Sequence, residues 1–521
     1  MTSYAHSKRF GLLLTVIACV GCGTVEGISP DGGGPDVDSA PLPDPPDQAP
    51  RLIAPLAANL VTSQRPSLLW TEVERAESYE IDLCRDSDCS DLIATVSVTE
   101  VTGRPDDSLT RGAVFWRVRA TNPGGAGPNS STWHFFVGGR DAPVLSNWPQ
   151  VFDPNGDGAP DVGVGTRAGQ FHIFLTGAGS IPQLPSVSVT TAIEAMSKGG
   201  DLDGDGFGEV LIGTPLSSEN VRVYSGTADG IDTDNPKVIL APSAGDGFGD
   251  SLAGVGDVNG DGYGDAVIGF DDSTGISFLY LGGPDGLASS PSGDPLLGSP
   301  VAAAGDVNGD GLADVLTCSR FSNEARVFHG NVSGMLTAAL TIPAPAGTTG
   351  FGEACAGVGD VNGDGYADII VAESAGRSGR VFSGGVSGID GGTAVILAAN
   401  AGGGAFNVTG HLGAAGDVNG DGIGDVFFGA YNATPPAIHV FAGDTTGVNT
   451  TALIQLVFDE TGNYGTQAVG VGDLDGNGLD ELVVGPSQCS GHEVVVTRGA
   501  QELVLEQWDG LGQCPGNSMA R

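Results

Sequence analysis

Asp257-Val258-Asn259-Gly260-Asp261-Gly262-Tyr263-Gly264-Asp265 carries an oxygen-bearing side chain at its first, third, fifth and ninth positions and a glycine at its sixth. Six more stretches repeat the pattern, starting at Asp153, Asp201, Asp306, Asp360, Asp417 and Asp473; successive starts are 48, 56, 49, 54, 57 and 56 residues apart. Such a loop has the chemistry of a hard-cation site. Calcium takes about six to eight oxygens, and acids at every second residue around a glycine turn can converge on one ion. Magnesium suits the pattern less, because it demands a tight octahedron and keeps its waters. The opening Asp-x-Asn-x-Asp-Gly is that of an EF-hand, but the last acid stands at nine instead of twelve and the flanks read as strands. Loops of this composition also form Asx-turn hairpins without metal.

The candidate calcium ligands are Asp153, Asn155, Asp157 and Asp161 in the first loop, and Asp201, Asp203, Asp205 and Glu209 in the second. The third offers Asp257, Asn259, Asp261 and Asp265, and the fourth Asp306, Asn308, Asp310 and Asp314. The fifth offers Asp360, Asn362, Asp364 and Asp368, the sixth Asp417, Asn419, Asp421 and Asp425, and the seventh Asp473, Asp475, Asn477 and Glu481. The backbone carbonyl at position seven, Tyr263 in the third loop, can add a ligand. The second loop has four charges, and the first carries prolines at 154 and 160. These positions hold 22 of the 63 acids, and seven calcium ions would neutralise 14 of the 42 net negative charges. Acidity of this size repels nucleic acid and anionic membrane surface, so neither is expected as a direct partner.

Around each loop the chain keeps one layout. A short glycine-rich strand precedes it (Ser251–Gly256), a second follows directly (Ala266–Gly269), a third ends in glycine (Ser277–Gly282, Arg326–Gly330, Arg380–Gly384, Ile438–Gly443), and a more variable fourth comes after. With 87 glycines and 6% aromatics, many tight turns and few helices are expected. A four-stranded unit near 50 residues is the size of a propeller blade, so an all-β, seven-bladed β-propeller is predicted over 141–521. Small residues in the first strand suit a crowded axis. Phe248-Gly249 with Ala253-Gly254-Val255, and Phe351-Gly352 with Ala356-Gly357-Val358, resemble FG-GAP repeats, the blades of the integrin alpha-chain propeller; Tyr464-Gly465 is a near match, and units one, two, four and six lack the element. The resemblance implies calcium at the loops, up to seven ions, and ligand approach on the opposite face.

The rest of the chain divides three ways. His6, Lys8 and Arg9 precede the apolar run Phe10 to Ala18, too short to span a bilayer. With Cys19 and Cys22 after it, residues 1–22 resemble a bacterial lipoprotein signal. Val16-Ile17-Ala18-Cys19 fits the consensus, whereas cysteine parity favours lipidation at Cys22, since it leaves six downstream cysteines for three pairs. The chain is thus expected in the bacterial envelope, as an outer-membrane lipoprotein or at the cell surface. Residues 23–50 read as a Pro/Asp/Gly-rich tether. Residues 51–140 read as short strands and resemble a fibronectin type III domain through Trp70, Tyr79, Trp116-Arg117-Val118-Arg119-Ala120 and the turn Asn122 to Pro128. Trp70 and Trp116 are expected in that β-sandwich's core, the alternative being a sugar platform.

Cys84 with Cys89, Cys318 with Cys355, and Cys489 with Cys514 are the disulfide candidates, from parity and position. No catalytic constellation stands out. The seven histidines are dispersed, and no nucleophile elbow, phosphate loop or dinucleotide fingerprint occurs. His329 and His439 are expected at equivalent third-strand positions, packing blades. The sequence therefore reads as a surface-anchored binding or adhesion protein for an extracellular protein or glycan. A carbohydrate-active enzyme or its substrate-binding subunit, and an envelope scaffold, are the alternatives.

Overall fold

The computed structural model describes residues 42–139, 147–166, 169–177, 182, 184–214, 220–242, 247–270, 275–336, 338–373, 378–398, 412–430, 437–457, 464–486, 493–498, 502–507 and 515–519. The leader, both candidate lipidation cysteines, most of the tether, Cys489 and Cys514 lie outside these residues. Every regular element among them is a β-strand. Residues from Pro43 onward form one compact unit.

Two sheets come first. Leu52–Ala54, Leu68–Trp70 and Thr102–Gly103 make the smaller. Asn59–Val61, Trp133–Val137, Gly112–Asn122, Ser78–Cys84 and Leu92–Val98 run in that order across the larger. Alternation in Gly112–Asn122 sends Val114, Trp116, Val118 and Ala120 inward. They meet Trp70, Tyr79, Ile81 and Phe135, while the Tyr79 hydroxyl accepts the Val73 N–H at 3.1 Å. Trp70 and Trp116 are 1% and 0% exposed, which makes them core and leaves no face for a sugar. Cys84 and Cys89 are disulfide-bonded, closing a short loop. The end of the expected tether is not free: the Asp44 carbonyl accepts from Asn122 Nδ2 at 2.9 Å, and Pro46 is buried.

Seven four-stranded antiparallel sheets follow. Six of them are contiguous in the chain, each beginning on the strand that precedes its acidic loop: Ala195–Gly200, Phe248–Gly256, Val301–Gly305, Phe351–Gly359, Leu412–Gly416 and Tyr464–Gly472. These strands neighbour one another in sequence order around a centre. Their small residues are a steric necessity, because each strand lies on the backbone of the one before. A Cβ on Gly254 would stand 2.4 Å from the Lys198 carbonyl oxygen. Apolar side chains fill the space between sheets: Phe248 packs with Phe270 and Tyr280 against Leu211 and Val223. Burial of one such phenylalanine contributes about 1.5–3 kcal/mol. Cys318, on Asp314–Ser319, is bonded to Cys355 on the next sheet's inner strand, with Cα atoms 6.4 Å apart.

The first unit breaks the layout. Its strand before the loop, Asn147–Gln150, leaves the ring and pairs with Asn59–Val61 of the sandwich. Its place beside Val162–Thr166 is taken by the C-terminal strand Pro515–Met519. That strand neighbours both Tyr464–Gly472 and Ala195–Gly200, so the two ends of the repeat region are clasped together. The histidine expectation also needs correction. His329 directly precedes Gly330, while His439 stands four residues before Gly443. The counterpart of His439 is His172, four residues before Thr176, whose N–H makes the same bond as that of Gly443.

The sandwich rests on the side of the ring that carries the acidic loops. All five residues of Trp133–Val137 are buried, although a sheet with one solvent face would bury alternate ones. The outward members, His134 and Phe136, together with Phe115, face the first loop and its surroundings.

Candidate metal centres

The loops are wound by their own first carboxylate. In the third, Asp257 Oδ1 accepts the N–H groups of Gly260 at 2.6 Å and Asp261 at 3.1 Å, and Oδ2 accepts that of Gly262 at 2.7 Å. Gly262 sits at φ 83°, which explains the glycine at position six. Asn259 Oδ1 accepts from Asp261 N at 3.1 Å, and Asp261 Oδ1 from Tyr263 N at 3.1 Å. The fourth, fifth and sixth loops repeat this winding through Asp306, Asp360 and Asp417.

Position nine does a different job. Both oxygens of Asp265 are taken by backbone, Oδ2 by Val258 N at 2.9 Å and Oδ1 by Gly282 N at 2.8 Å. Asp314 holds Val307 and Gly330, Asp368 holds Val361 and Gly384, Asp425 holds Val418 and Gly443, and Glu209 holds Leu202 and Gly226. The acid thus ties the loop's start to the glycine that ends the third strand. That recurrent glycine was visible in the sequence; its partnership with position nine was not, because the two lie 16 to 18 residues apart.

Burial without counter-charge raises these acids. Asp257 and Asp306 are pushed up to about 6, Asp425 to about 7, Asp314 and Glu481 to about 8, and Asp161 to about 9, in every case mainly by desolvation. Asp201, Glu209, Asp265 and Asp368 are driven well above the carboxylate range for the same reason. A divalent cation relieves that cost, and the donor set suits one. Asp201, Asp203 and Glu209 each present an oxygen within 4.8 Å of the others, as do Asp473, Asp475 and Glu481. Glu481 Oε1 is buried with no hydrogen-bond partner among the described residues. These all-oxygen sets fit calcium, whose bound charge would hold each carboxylate ionised and each loop wound.

Sandwich side chains reach these loops directly, and nothing in the repeat pattern pointed to them. Arg111 spans two loops, with Nη1 2.8 Å from Asp417 Oδ2 and Nη2 2.8 Å from Asp480 Oδ1. Asp480 Oδ2 in turn accepts the Asp417 N–H at 2.6 Å. The Arg51 guanidinium stacks 4.8 Å over Tyr263, Trp133 Nε1 donates to the Gly204 carbonyl at 3.4 Å, and His134 Nε2 lies 2.9 Å from Asp153 Oδ2. Between the sandwich and the first, fifth, sixth and seventh loops runs a cavity of about 620 Å³. The unbroken apolar and aromatic run Trp133–Val137 was the available signal for a second covered face.

Residues 272–371 match the FG-GAP-like repeat family. Within that stretch the propeller is similar to FG-GAP repeats. Integrin alpha-8 of Gallus gallus is 28% identical over 160 residues, covering 25% of this chain and 15% of that protein. Integrin alpha-8 of Homo sapiens is 28% identical over 150 residues, covering 24% and 14%. This chain therefore matches only about a seventh of the length of either integrin. Among solved structures, a functionally unknown protein from Desulfotomaculum acetoxidans superposes with a TM-score of 0.42 at 14% identity, over 69% of this chain and 98% of that one. From the second to the sixth unit the recurring layout, from inner strand through loop to third-strand glycine, is the hydrogen-bonded unit just described.

Proposed function

We propose that the chain is a calcium-stabilised, surface-anchored binding or adhesion protein. In this proposal a seven-bladed FG-GAP-like propeller, carried on a fibronectin type III-like sandwich, presents its far face to an extracellular protein or glycan. One observation carries it: the sandwich covers the acidic-loop side, which leaves the opposite rim as the accessible one. The similarity to integrin alpha chains supports the same reading. Among the described residues no helix is long and apolar enough to cross a membrane. In this proposal the anchor is lipid at Cys22, or Cys19, of the lipoprotein-like leader.

On the far rim the turn joining the second and third strands of the fourth sheet exposes Phe321, 55% accessible, with the Arg320 guanidinium 4.9 Å over its ring. An exposed aromatic–arginine pair is the composition that binding surfaces favour. The intact protein with calcium, screened on a glycan array and a panel of extracellular proteins, is expected to show saturable binding that weakens in an Arg320→Ala/Phe321→Ala variant. Polysaccharide turnover without saturable binding would overturn the proposal in favour of a carbohydrate-active enzyme.

A further inference from the structure

On the ring axis lies a cavity of about 330 Å³, bounded by the inner strands of six sheets and, at the acidic-loop end, by Leu56 and Asn59 of the sandwich. The displaced strand Asn147–Gln150 accounts for that cap. It neighbours the inner strands Phe248–Gly256, Val301–Gly305 and Phe351–Gly359 and pairs with Asn59–Val61, which brings Asn59 over the axis. Asn59 is 2% exposed, and its Oδ1 is buried with no hydrogen-bond partner among the described residues. Each of the six inner strands pairs on one side only, so its other edge turns unpaired backbone N–H and C=O groups toward the cavity.

One register level of that wall is unlike the others. Three residues before its acidic loop, each inner strand pairs with the residue just after position nine: Lys198 with Val210, Gly254 with Ala266, Ala303 with Val315, Gly357 with Ile369, Ala414 with Val426 and Gly470 with Leu482. All six inner-strand residues line the cavity. Five are glycine or alanine, and a Cβ on Gly254, Gly357 or Gly470 would stand 2.4, 2.4 or 2.5 Å from a carbonyl oxygen of the preceding inner strand. The sixth is one of three lysines in 521 residues, the others being Lys8 and Lys237. Acids outnumber lysine and arginine 63 to 21, yet no carboxylate pairs with the Lys198 ammonium among the described residues. Burial pushes it down to about 8, with no neighbouring charge to oppose the shift. The carboxylates that line the cavity are committed or distant. Asp257 winds its own loop, and Glu194 and Asp250 stand four residues before Lys198 and Gly254, about 13 Å of extended strand away. A buried cation left alone amid such an excess of acid is open to a counter-charge from outside the chain.

We propose that the axial cavity binds a small polyhydroxylated carboxylate, the chemistry of a sugar acid, with its carboxylate on Lys198 and its hydroxyls on Asn59 and the inner-strand edges. A neutral sugar would leave the ammonium unpaired, and a plain aliphatic acid would leave the amide and the backbone groups unpaired, so the site selects for both features at once. At about 330 Å³ the cavity stands at the lower end of ligand pockets, the size for one monosaccharide. The site is separate from Arg320 and Phe321 on the far rim, so it stands whether or not that rim binds a macromolecule.

D-glucuronate is the probe, with D-glucose and cyclohexanecarboxylate as ring-sized controls that lack the charge and the hydroxyls respectively. Calorimetric titration of the full-length protein in calcium buffer is expected to show one glucuronate bound per chain. Both controls should bind at least about tenfold more weakly, the loss that one charged or two neutral hydrogen bonds bring. Lys198→Met keeps the length of the side chain without its charge and should weaken glucuronate by the same factor or more. In protein labelled with nitrogen-15 at lysine alone, glucuronate should move the Lys198 amide resonance and leave that of Lys237 in place. Equal binding of either control, undiminished binding by a folded Lys198→Met variant, or a Lys198 resonance that glucuronate does not move overturns the proposal. The wild-type measurements decide the matter even if the variant fails to fold.

Discussion

Each acidic loop contains two kinds of carboxylate, and substitution should separate them. Asp310 is on the loop's outer turn, where Oδ1 accepts the Leu312 N–H at 2.9 Å. Asp314 is fully buried and ties Val307 to Gly330. Asp310→Asn is expected to weaken calcium binding at that loop with little change in the stability of the metal-free protein. Asp314→Asn places an amide N–H against a backbone donor and should cost about 1–3 kcal/mol with or without calcium. Calcium titration and denaturant unfolding of both variants check this. Equal stability losses in chelator would contradict the division of labour. The raised acids also set a pH dependence. Unfolded, they titrate near 4; folded and metal-free, they titrate from about 6 (Asp257) to about 9 (Asp161). The native state holds the extra protons across that window, so stability without metal falls as pH rises through it. Calcium displaces those protons, so its stabilisation should grow over the same range. Calorimetry at pH 5 and pH 8, with chelator and with calcium, is expected to show the larger calcium-dependent rise in melting temperature at pH 8.

Strand by strand, the ring is limited by how closely its inner strands approach. Gly357 is to its neighbour what Gly254 is to its own: a Cβ there would lie 2.4 Å from the Ala303 carbonyl oxygen. Gly357→Ala must push two sheets apart and is expected to cost about 1–3 kcal/mol, the range for overpacking, read as a lower denaturant midpoint. The C-terminal strand is the other sensitive element. Pro515–Met519 pairs with Val162–Thr166, whose other neighbour is Gln170–Phe174. Deleting residues 515–521 strips the first sheet of its inner strand and exposes an unpaired edge where the ring should close. That truncation is expected to aggregate or to lose protection from hydrogen exchange first at residues 162–174. Uniform protection in a soluble truncated protein would show that the clasp is dispensable.

For the molecule as a whole, sandwich, loops and ring make one coupled system. Arg111 holds Asp417 and Asp480 from two loops at once, with its side chain 23% exposed and theirs 10% and 16%. Arg111→Ala leaves two carboxylates facing each other beneath the sandwich and should cost about 3 kcal/mol, the low end for breaking a buried pair. Chelation should lower the melting temperature of the intact protein substantially. Because the sandwich stands on the same loops, its tryptophan fluorescence should respond in the same transition. An unchanged melt after verified metal removal would refute calcium as the scaffold's clamp.

The local pattern by itself determined the strand content, the spacing of the acidic loops and the oxygen chemistry at each. These follow from side-chain alternation and from which residues accept a tight turn, so they are readable within about ten residues. The similarity to FG-GAP repeats over residues 272–371 was legible for the same reason, in Phe351-Gly352. Tertiary structure alone decided where Pro515–Met519 goes, which glycine each ninth-position acid holds, and that Arg111, Arg51 and His134 come down on the loops. Those contacts join residues far apart in the chain, and their side chains carry no periodicity that announces a partner. Pro154 shows the boundary. The sequence displays a proline in an otherwise regular loop, but only the assembled molecule shows that Asp161 Oδ2 is left without a hydrogen-bond partner among the described residues and that His134 of the sandwich stands 2.9 Å from Asp153 of the same loop.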